Sequence, residues 1–269
     1  MSDALITVDL GTTRLKVAAF TMDGRCLHLE STRHHEWIDG PYSWQDASSW
    51  WNDTVRLVRG ALQVLDEHTV AGLSLSGRGN AGVFLDAGGA VVAHPWLDRR
   101  HDEELSDLLD WRAEDDRFLS NYGAGLIAKY RWLETNAPAE ADRVGYACFG
   151  KDYLLYRMTG EHVTDWSSGP DRPEWDDRLD TLIPTELLPR PALPWSIAGG
   201  LTPTAAEELG LAVNTPVAVG AHDGICANIG AGAIETGHYA ITLGTHAVVR
   251  TVADSVPVGA YRFYGFPVG

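Results

Sequence analysis

The first seventy-five residues change hydrophobic period twice, and that change confines the fold. Residues 5–10, 15–21 and 26–32 are strand-length segments separated by turn signals at Gly11-Thr12-Thr13 and Asp23-Gly24, so the chain opens as an antiparallel meander. From Asp46 the period becomes helical. Trp50, Trp51, Val55, Leu57, Val58, Leu62 and Leu65 recur on one face, Asp46 or Ser48 can cap the start, and a helix is predicted to about residue 67. A buried strand over 70–75 follows. Strands alternating with helices in this way belong to an α/β fold.

The remaining chain keeps that alternation. A hairpin over 82–92 turns at Asp86-Ala87-Gly88-Gly89, and helices are predicted over 103–111, 126–136 and 151–158. Residues 165–200 carry Pro170, Pro173, Pro184, Pro189, Pro191 and Pro194 and read as an irregular surface excursion. Pro203 and Gly210 bound a short helix over 204–209. An apolar strand over 216–220, a helix over 224–232 and a hairpin of 238–243 with 247–252 about Gly244-Thr245 complete the pattern.

Composition narrows the function. Acidic residues number 37 against 21 basic, a formal charge of −16, so the field of the molecule repels nucleic acid and anionic lipid. Neither is an expected partner. An anionic small molecule such as ATP stays open, because backbone N–H groups, helix N-termini and a metal ion can hold phosphate without a basic surface. Cys26, Cys148 and Cys226 lie far apart without a CxxC pair, which argues against a disulfide framework or zinc site and for a reducing cytoplasm. The N-terminus lacks a secretory pattern and no apolar run approaches about 18 residues, so neither export nor a membrane span is expected.

Three constellations could carry chemistry. Asp9-Leu10-Gly11-Thr12-Thr13, with Lys16 behind it, sets a carboxylate at a strand end before a Gly-Thr-Thr turn. Glycine admits close approach of a phosphate, the threonines offer N–H and O–H donors, and Asp9 could hold Mg²⁺ through water. The same residues also make a plain hairpin turn. Gly220-Ala221-His222-Asp223-Gly224 ends an apolar strand in a carboxylate at a helix start, where α/β folds place ligands. Asp223 could equally be a simple helix cap. Thr242-Leu243-Gly244-Thr245 is a second Gly-Thr turn, open to the same two readings. No GxxxxGK[ST] loop or GxGxxG spacing is present, and the histidines, His222 among them, lack metal-ligand spacing and read as surface or supporting residues.

The order of the three motifs resembles the FGGY carbohydrate kinases. Similar to that family as well are Trp44-Gln45-Asp46 with Trp50-Trp51, Leu73-Ser74-Leu75-Ser76-Gly77, Pro95-Trp96-Leu97-Asp98-Arg99-Arg100, Lys129 with Trp132-Leu133, and Asp152-Tyr153-Leu154 running to Met158-Thr159-Gly160. These follow the family's order across nearly all of residues 4–252. The resemblance implies an RNase H-like, actin-like ATPase fold, a mixed sheet with flanking helices, and ATP-dependent phosphorylation of a sugar or polyol hydroxyl with ATP and Mg²⁺. It implies Asp223 as the general base, Asp9 at the metal, and Thr12, Thr13, Lys16, Gly244 and Thr245 at the phosphates. By position in the family's loops, Arg78, Asn80, Trp96 and Asp98 are expected sugar contacts, with Trp96 able to stack on a sugar face.

The resemblance also sets domain expectations. Residues 1–252 correspond to an N-terminal, sugar-binding domain, and 253–269 to the start of a connection to a second, nucleotide-binding domain that this chain lacks. The isolated chain is then expected to be nearly inactive, with an apolar face that favours self-association, including a homodimer. A truncated, catalytically silent sugar-binding domain is the alternative. Relatives often carry an amide after the catalytic aspartate, whereas this chain has Gly224, and its loop reads Gly77-Arg78-Gly79-Asn80. The sugar stays open among pentuloses, their polyols, gluconate and related keto acids.

Overall fold

A computed structural model describes residues 2–65, 68–79, 81–111, 121–170, 174–243 and 247–253. Its elements, in chain order, are β1 (Ser2–Leu10), β2 (Arg14–Thr21), β3 (Cys26–Arg33), β4 (Trp37–Asp39), β5 (Tyr42–Trp44), α1 (Ala47–Leu62), β6 (His68–Gly77), β7 (Gly82–Leu85), β8 (Val91–Ala93), α2 (Asp102–Trp111), α3 (Asn121–Asn136) and α4 (Pro138–Ala141). They continue with β9 (Tyr146–Phe149), α5 (Gly150–Thr159), β10 (Val163–Asp165), β11 (Arg190–Ala192), β12 (Ile197–Gly200), α6 (Pro203–Leu209), β13 (Pro216–Ala218), β14 (Ala221–His222), α7 (Asp223–Gly230), β15 (Tyr239–Leu243) and β16 (Ala247–Thr251).

The main sheet runs β12-β13-β6-β1-β2-β3. The meander β1-β2-β3 is antiparallel, as its short turns require, whereas β1 and β6 are parallel because α1 lies in the connection between them. Beyond β6, one strand line is broken in two: Val217 of β13 pairs with Leu73, and then Ala221 and His222 of β14 pair with Ser76 and Gly77. Gly220 makes the break. Its φ is +75°, and a Cβ there would lie 1.8 Å from the Leu75 carbonyl oxygen, so only glycine lets the chain re-enter against β6.

The principal core fills the space between this sheet and α1, α5 and α6, with Ile6, Val8, Leu57, Leu75, Tyr153, Leu154 and Leu209 among its members. Asp46 caps α1, its carboxylate accepting from the Ser48 N–H at 2.9 Å, and Trp50, Trp51, Leu57 and Val58 form the buried stripe. A second core gathers Phe84, Trp96, Ile127, Tyr130, Leu133 and Phe149 around the sheet β8-β7-β9 and α3.

Two expectations are corrected. The first helix ends at Leu62 rather than near 67, because Gln63, Val64 and Leu65 bond back three residues in a tightened last turn that still sinks Leu65 into the core. Residues 66 and 67 lie outside the described residues. The 165–200 excursion holds two 3₁₀ turns, Asp177–Thr181 and Thr185–Leu187, the strand β11, and β12, which joins the main sheet. The glycines of β12 hid it: Gly199 and Gly200 supply no apolar alternation, yet their missing side chains let the strand pack tightly on Thr159 and Asn214.

Candidate active site

Three parallel strands end together. Register places Asp9 beside Ser76 and Ser76 beside Ala221, so β1, β6 and β14 finish at one sheet edge with the start of α7 next to them. Asp9 and Asp223, more than two hundred residues apart in sequence, are thereby brought to the same edge. The carboxyl ends of strands are where α/β sheets bind ligands.

The Gly11-Thr12-Thr13 turn leaves this edge with its carbonyls turned inward. His34 Nε2 meets the Gly11 carbonyl at 3.0 Å, Gln45 Nε2 and an Arg78 terminal nitrogen donate to the Thr12 carbonyl at 3.2 and 3.0 Å, and the His34 N–H donates to Thr13 at 3.0 Å. With every carbonyl of the turn engaged, the N–H groups of Thr12 and Thr13 have no backbone partner among the described residues, and both threonines are exposed. Outward N–H groups flanked by hydroxyls form an anion-accepting concavity.

Asp9 accepts the Ser76 hydroxyl at 3.0 Å on one oxygen and the Lys16 ammonium at 2.8 Å on the other. Its side chain is about a quarter exposed and that of Lys16 about half, so the pair sits at the surface where Lys16 can swing to another anion. Gly244 and Thr245 lie outside the described residues, as does Asn80.

Asp223 is the first residue of α7 but not its cap. His222 caps the helix, its Nδ1 accepting the Gly224 N–H at 3.1 Å, so capping does not draw on the Asp223 carboxylate, whose side chain is 37% exposed. The nearest ring nitrogen, His222 Nε2, is 3.3 Å from Asp223 Oδ1. Gly224 is buried, and a Cβ there would lie 2.5 Å from the Arg250 guanidinium, so the glycine leaves room for β16 to lay a cation against the start of α7.

Arg78 stands behind both halves of the site at 3% exposure. Its terminal nitrogens hold the Thr12 carbonyl and Gln45 Oε1, and burial pulls its pKa down to about 10 despite the opposing charges of Asp223 and Glu36. It serves as a strut beneath the turn. Trp96 is a core residue, 2% exposed, with its indole N–H directed to His101 Nδ1 at 3.2 Å. Asp98 is likewise turned to structure: it accepts the Ser43 N–H and grips Arg100 with both oxygens. Burial raises its pKa, but these bonds outweigh that and bring it down to about 2. Of the expected sugar contacts within the described residues, Arg78 adjoins the strand ends, its backbone N–H donating to the Leu10 carbonyl at 3.1 Å.

Several residues of the site carry no motif. Tyr122 of α3 stacks on the His222 ring, centroids 4.6 Å apart, and needs Gly79, where a Cβ would lie 2.4 Å from its ring. The His222 N–H donates to the Ser167 hydroxyl at 3.0 Å, and that hydroxyl bonds to buried Asp165. Asp165 and Asp152 flank Lys151 at 3.1 and 2.5 Å, and Lys151 also donates to the Val219 carbonyl beside the Gly220 break. Burial opposes the Lys151 charge, but the two carboxylates outweigh it and raise its pKa. Burial likewise raises Asp152, whereas Lys151 and the Ser167 and Ser168 hydroxyls overcome burial at Asp165 and lower it. The sealed cluster anchors the strand that delivers Asp223, because Lys151 ties both carboxylates to the Val219 carbonyl.

Comparison with known proteins identifies the family and the fold. The chain is 27% identical over 268 residues to a xylulose kinase of Staphylococcus epidermidis, covering 94% of this chain and 53% of that protein. It is 28% identical over 273 residues to a xylulose kinase of Escherichia coli, covering 93% and 54%. It thus spans about half the length of the curated relatives it matches. In fold it is similar to the gluconate kinase of Lactobacillus acidophilus, with a TM-score of 0.87 at 21% identity, over 97% of this chain and 56% of that one. The fold is therefore the actin-like ATPase arrangement of those kinases. The model of the N-terminal domain of the FGGY family of carbohydrate kinases matches residues 4–230, and the chain belongs to that family.

Proposed function

We propose that this chain is the acceptor-binding half of an ATP-dependent carbohydrate kinase, with Asp223 as the general base. The observation that carries the reading is the common ending of β1, β6 and β14, which sets a partly exposed, uncapped carboxylate at the same sheet edge as an anion-accepting turn. Relatives named for xylulose, gluconate and glycerol support a polyhydroxyl acceptor.

In-line phosphoryl transfer asks the protein mainly for alignment and charge stabilisation. The acceptor hydroxyl oxygen forms the new bond to the γ-phosphorus, the bond to the bridging oxygen breaks with its electron pair leaving on ADP, and Asp223 takes the hydroxyl proton. The N–H groups of Thr12 and Thr13, with Lys16, bind phosphate oxygens, and Gly244 and Thr245 are proposed to add to them. Asp9, a partly exposed carboxylate beside those donors, fits an Mg²⁺ ion held through water, which would neutralise phosphate charge. Residues 1–252 constitute the sugar-binding domain in this reading. Residues 253–269, expected to start a link to a nucleotide-binding domain, lie outside the described residues apart from position 253. The cytoplasm is the proposed compartment.

Replacing Asp223 with Asn in the whole protein should lower kcat by at least about 10²-fold while sugar binding largely survives. Coupled ADP release over pentuloses, polyols and aldonates measures it. Near-normal kcat in the variant would dismiss Asp223 as the base. Residues 1–269 alone should turn over poorly, because closure of a second wall supplies alignment and excludes water. Robust sugar-dependent turnover by that chain would refute the half-site reading.

A further inference from the structure

The geometry points to His222 as the positioning residue of this site, its Nδ1 fixing the helix and its Nε2–H orienting the Asp223 carboxylate for proton transfer. This rests on the reading of Asp223 as base, and it gives a role to a histidine that the sequence reads only as a surface or supporting residue.

A neutral imidazole carries one N–H, and the hydrogen bond made by one nitrogen decides where it sits. Nδ1 accepts the Gly224 N–H at 3.1 Å, so it must be bare, and the proton lies on Nε2. That nitrogen is 3.3 Å from Asp223 Oδ1, close but not aligned as a hydrogen bond, as is common for catalytic pairs before substrate is bound. Burial favours the neutral ring by lowering the His222 pKa.

The ring is fixed in place from several sides. Tyr122 covers one face at 4.6 Å with planes 24° apart, and the backbone N–H is tied through Ser167 to buried Asp165. The charges that reach His222 are Asp223 and Asp165, which favour its protonation, and Arg250 and Lys151, which oppose it. His222 is only 13% exposed at its side chain, so its orientation is held by packing rather than by solvent. A carboxylate on the first turn of a helix can rotate freely unless a neighbour holds one oxygen. Fixing Oδ1 leaves Oδ2 to face the acceptor hydroxyl.

The two ring nitrogens can be tested apart, because an Asn side chain reproduces the Nδ1 acceptor and a Gln side chain reaches the Nε2 position. Nitrogen-15 spectra of the histidines in the labelled chain should show neutral His222 protonated on Nε2, and a proton on Nδ1 would overturn the inference without any activity assay. In the whole protein, His222→Asn should keep the unfolding midpoint yet lower kcat about 10- to 100-fold with little change in sugar KM. His222→Gln should lower the midpoint but recover most of the kcat lost in His222→Asn. If kcat instead follows the midpoint through both variants, His222 is a helix cap only and the inference fails. Absence of turnover in the unmutated whole protein with every sugar would refute the kinase reading, while the tautomer measurement still decides the placement of the proton.

Discussion

Gly220→Ala should damage this protein far more than Gly160→Ala, although the two glycines share nearly the same backbone angle. Their φ values are +75° and +76°, so each substitution carries the left-handed strain of an L-residue, about 1–2 kcal/mol. The surroundings differ. A Cβ at 160 meets only Thr202 Cγ2 at 4.0 Å, an ordinary contact, whereas a Cβ at 220 falls 1.8 Å from the Leu75 carbonyl oxygen. Relief there needs about 1 Å or more of backbone movement between β14 and β6, and overpacking of that kind costs about 1–3 kcal/mol further. The totals are about 1–2 kcal/mol at 160 and about 2–5 kcal/mol at 220. At about 2–4 °C per kcal/mol for a domain of this size, Tm should fall by about 2–8 °C and about 4–20 °C respectively. Thermal unfolding followed by circular dichroism reads both shifts. Because Ala221 and His222 lead directly into Asp223, Gly220→Ala should also cost about tenfold or more in kcat, and Gly160→Ala should not. Equal Tm losses in the two variants would show that β14 does not depend on the close approach to β6, and the argument from the strand break would fall.

Two further outcomes follow from buried charge. His101 and His162 have their pKa values lowered to about 4 by burial, with Lys129 adding to the effect at His101. The folded state therefore refuses protons that the unfolded chain binds below about pH 6.5, so stability should decline as pH falls from 6.5 toward 4. By pH 5 the loss should be about 1 kcal/mol for each histidine after allowance for partial exposure, and a urea midpoint independent of pH across that window would contradict it. Lys151→Met removes the only cation seen between Asp152 and Asp165 among the described residues and should destabilise the protein by about 3–5 kcal/mol, read from urea unfolding at pH 7. A loss under about 1 kcal/mol would mean that the cluster does not anchor Val219.

One surface bears on assembly. Tyr239, Ile241, Leu243 and Val249 of the β15-β16 hairpin are each more than 60% exposed, and Ile229 and Ile234 lie nearby in sequence and about half exposed. Apolar area on that scale promotes association. Sedimentation of the isolated chain should show self-association that Leu243→Lys with Ile241→Lys reduces, and a monomer at all concentrations would remove the expectation.

The sequence by itself determined the local elements and the chemistry held within contiguous motifs. Turn residues, caps and period placed β1 to β3, the start of α1, β6, α5 and α6 within a few residues, because those signals act over one or two turns of chain. The Asp9 and Asp223 motifs were legible for the same reason: a carboxylate at a strand end and another at a helix start are local patterns. Tertiary structure decided what those residues touch. Only the register of β1, β6 and β14 brings Asp9 and Asp223 to one edge, and no short window contains it. Only packing reveals that Trp96 belongs to the second core, that Asp98 holds Ser43 and Arg100, that Arg78 props the Thr12 turn, and that His222 rather than Asp223 caps α7. A strand such as β12, rich in glycine, and a cluster such as Lys151 with Asp152 and Asp165, assembled from two elements, leave no periodic trace because their energy comes from partners distant along the chain. Hydrophobic period reports which face of an element is buried, but it does not report which neighbour buries it.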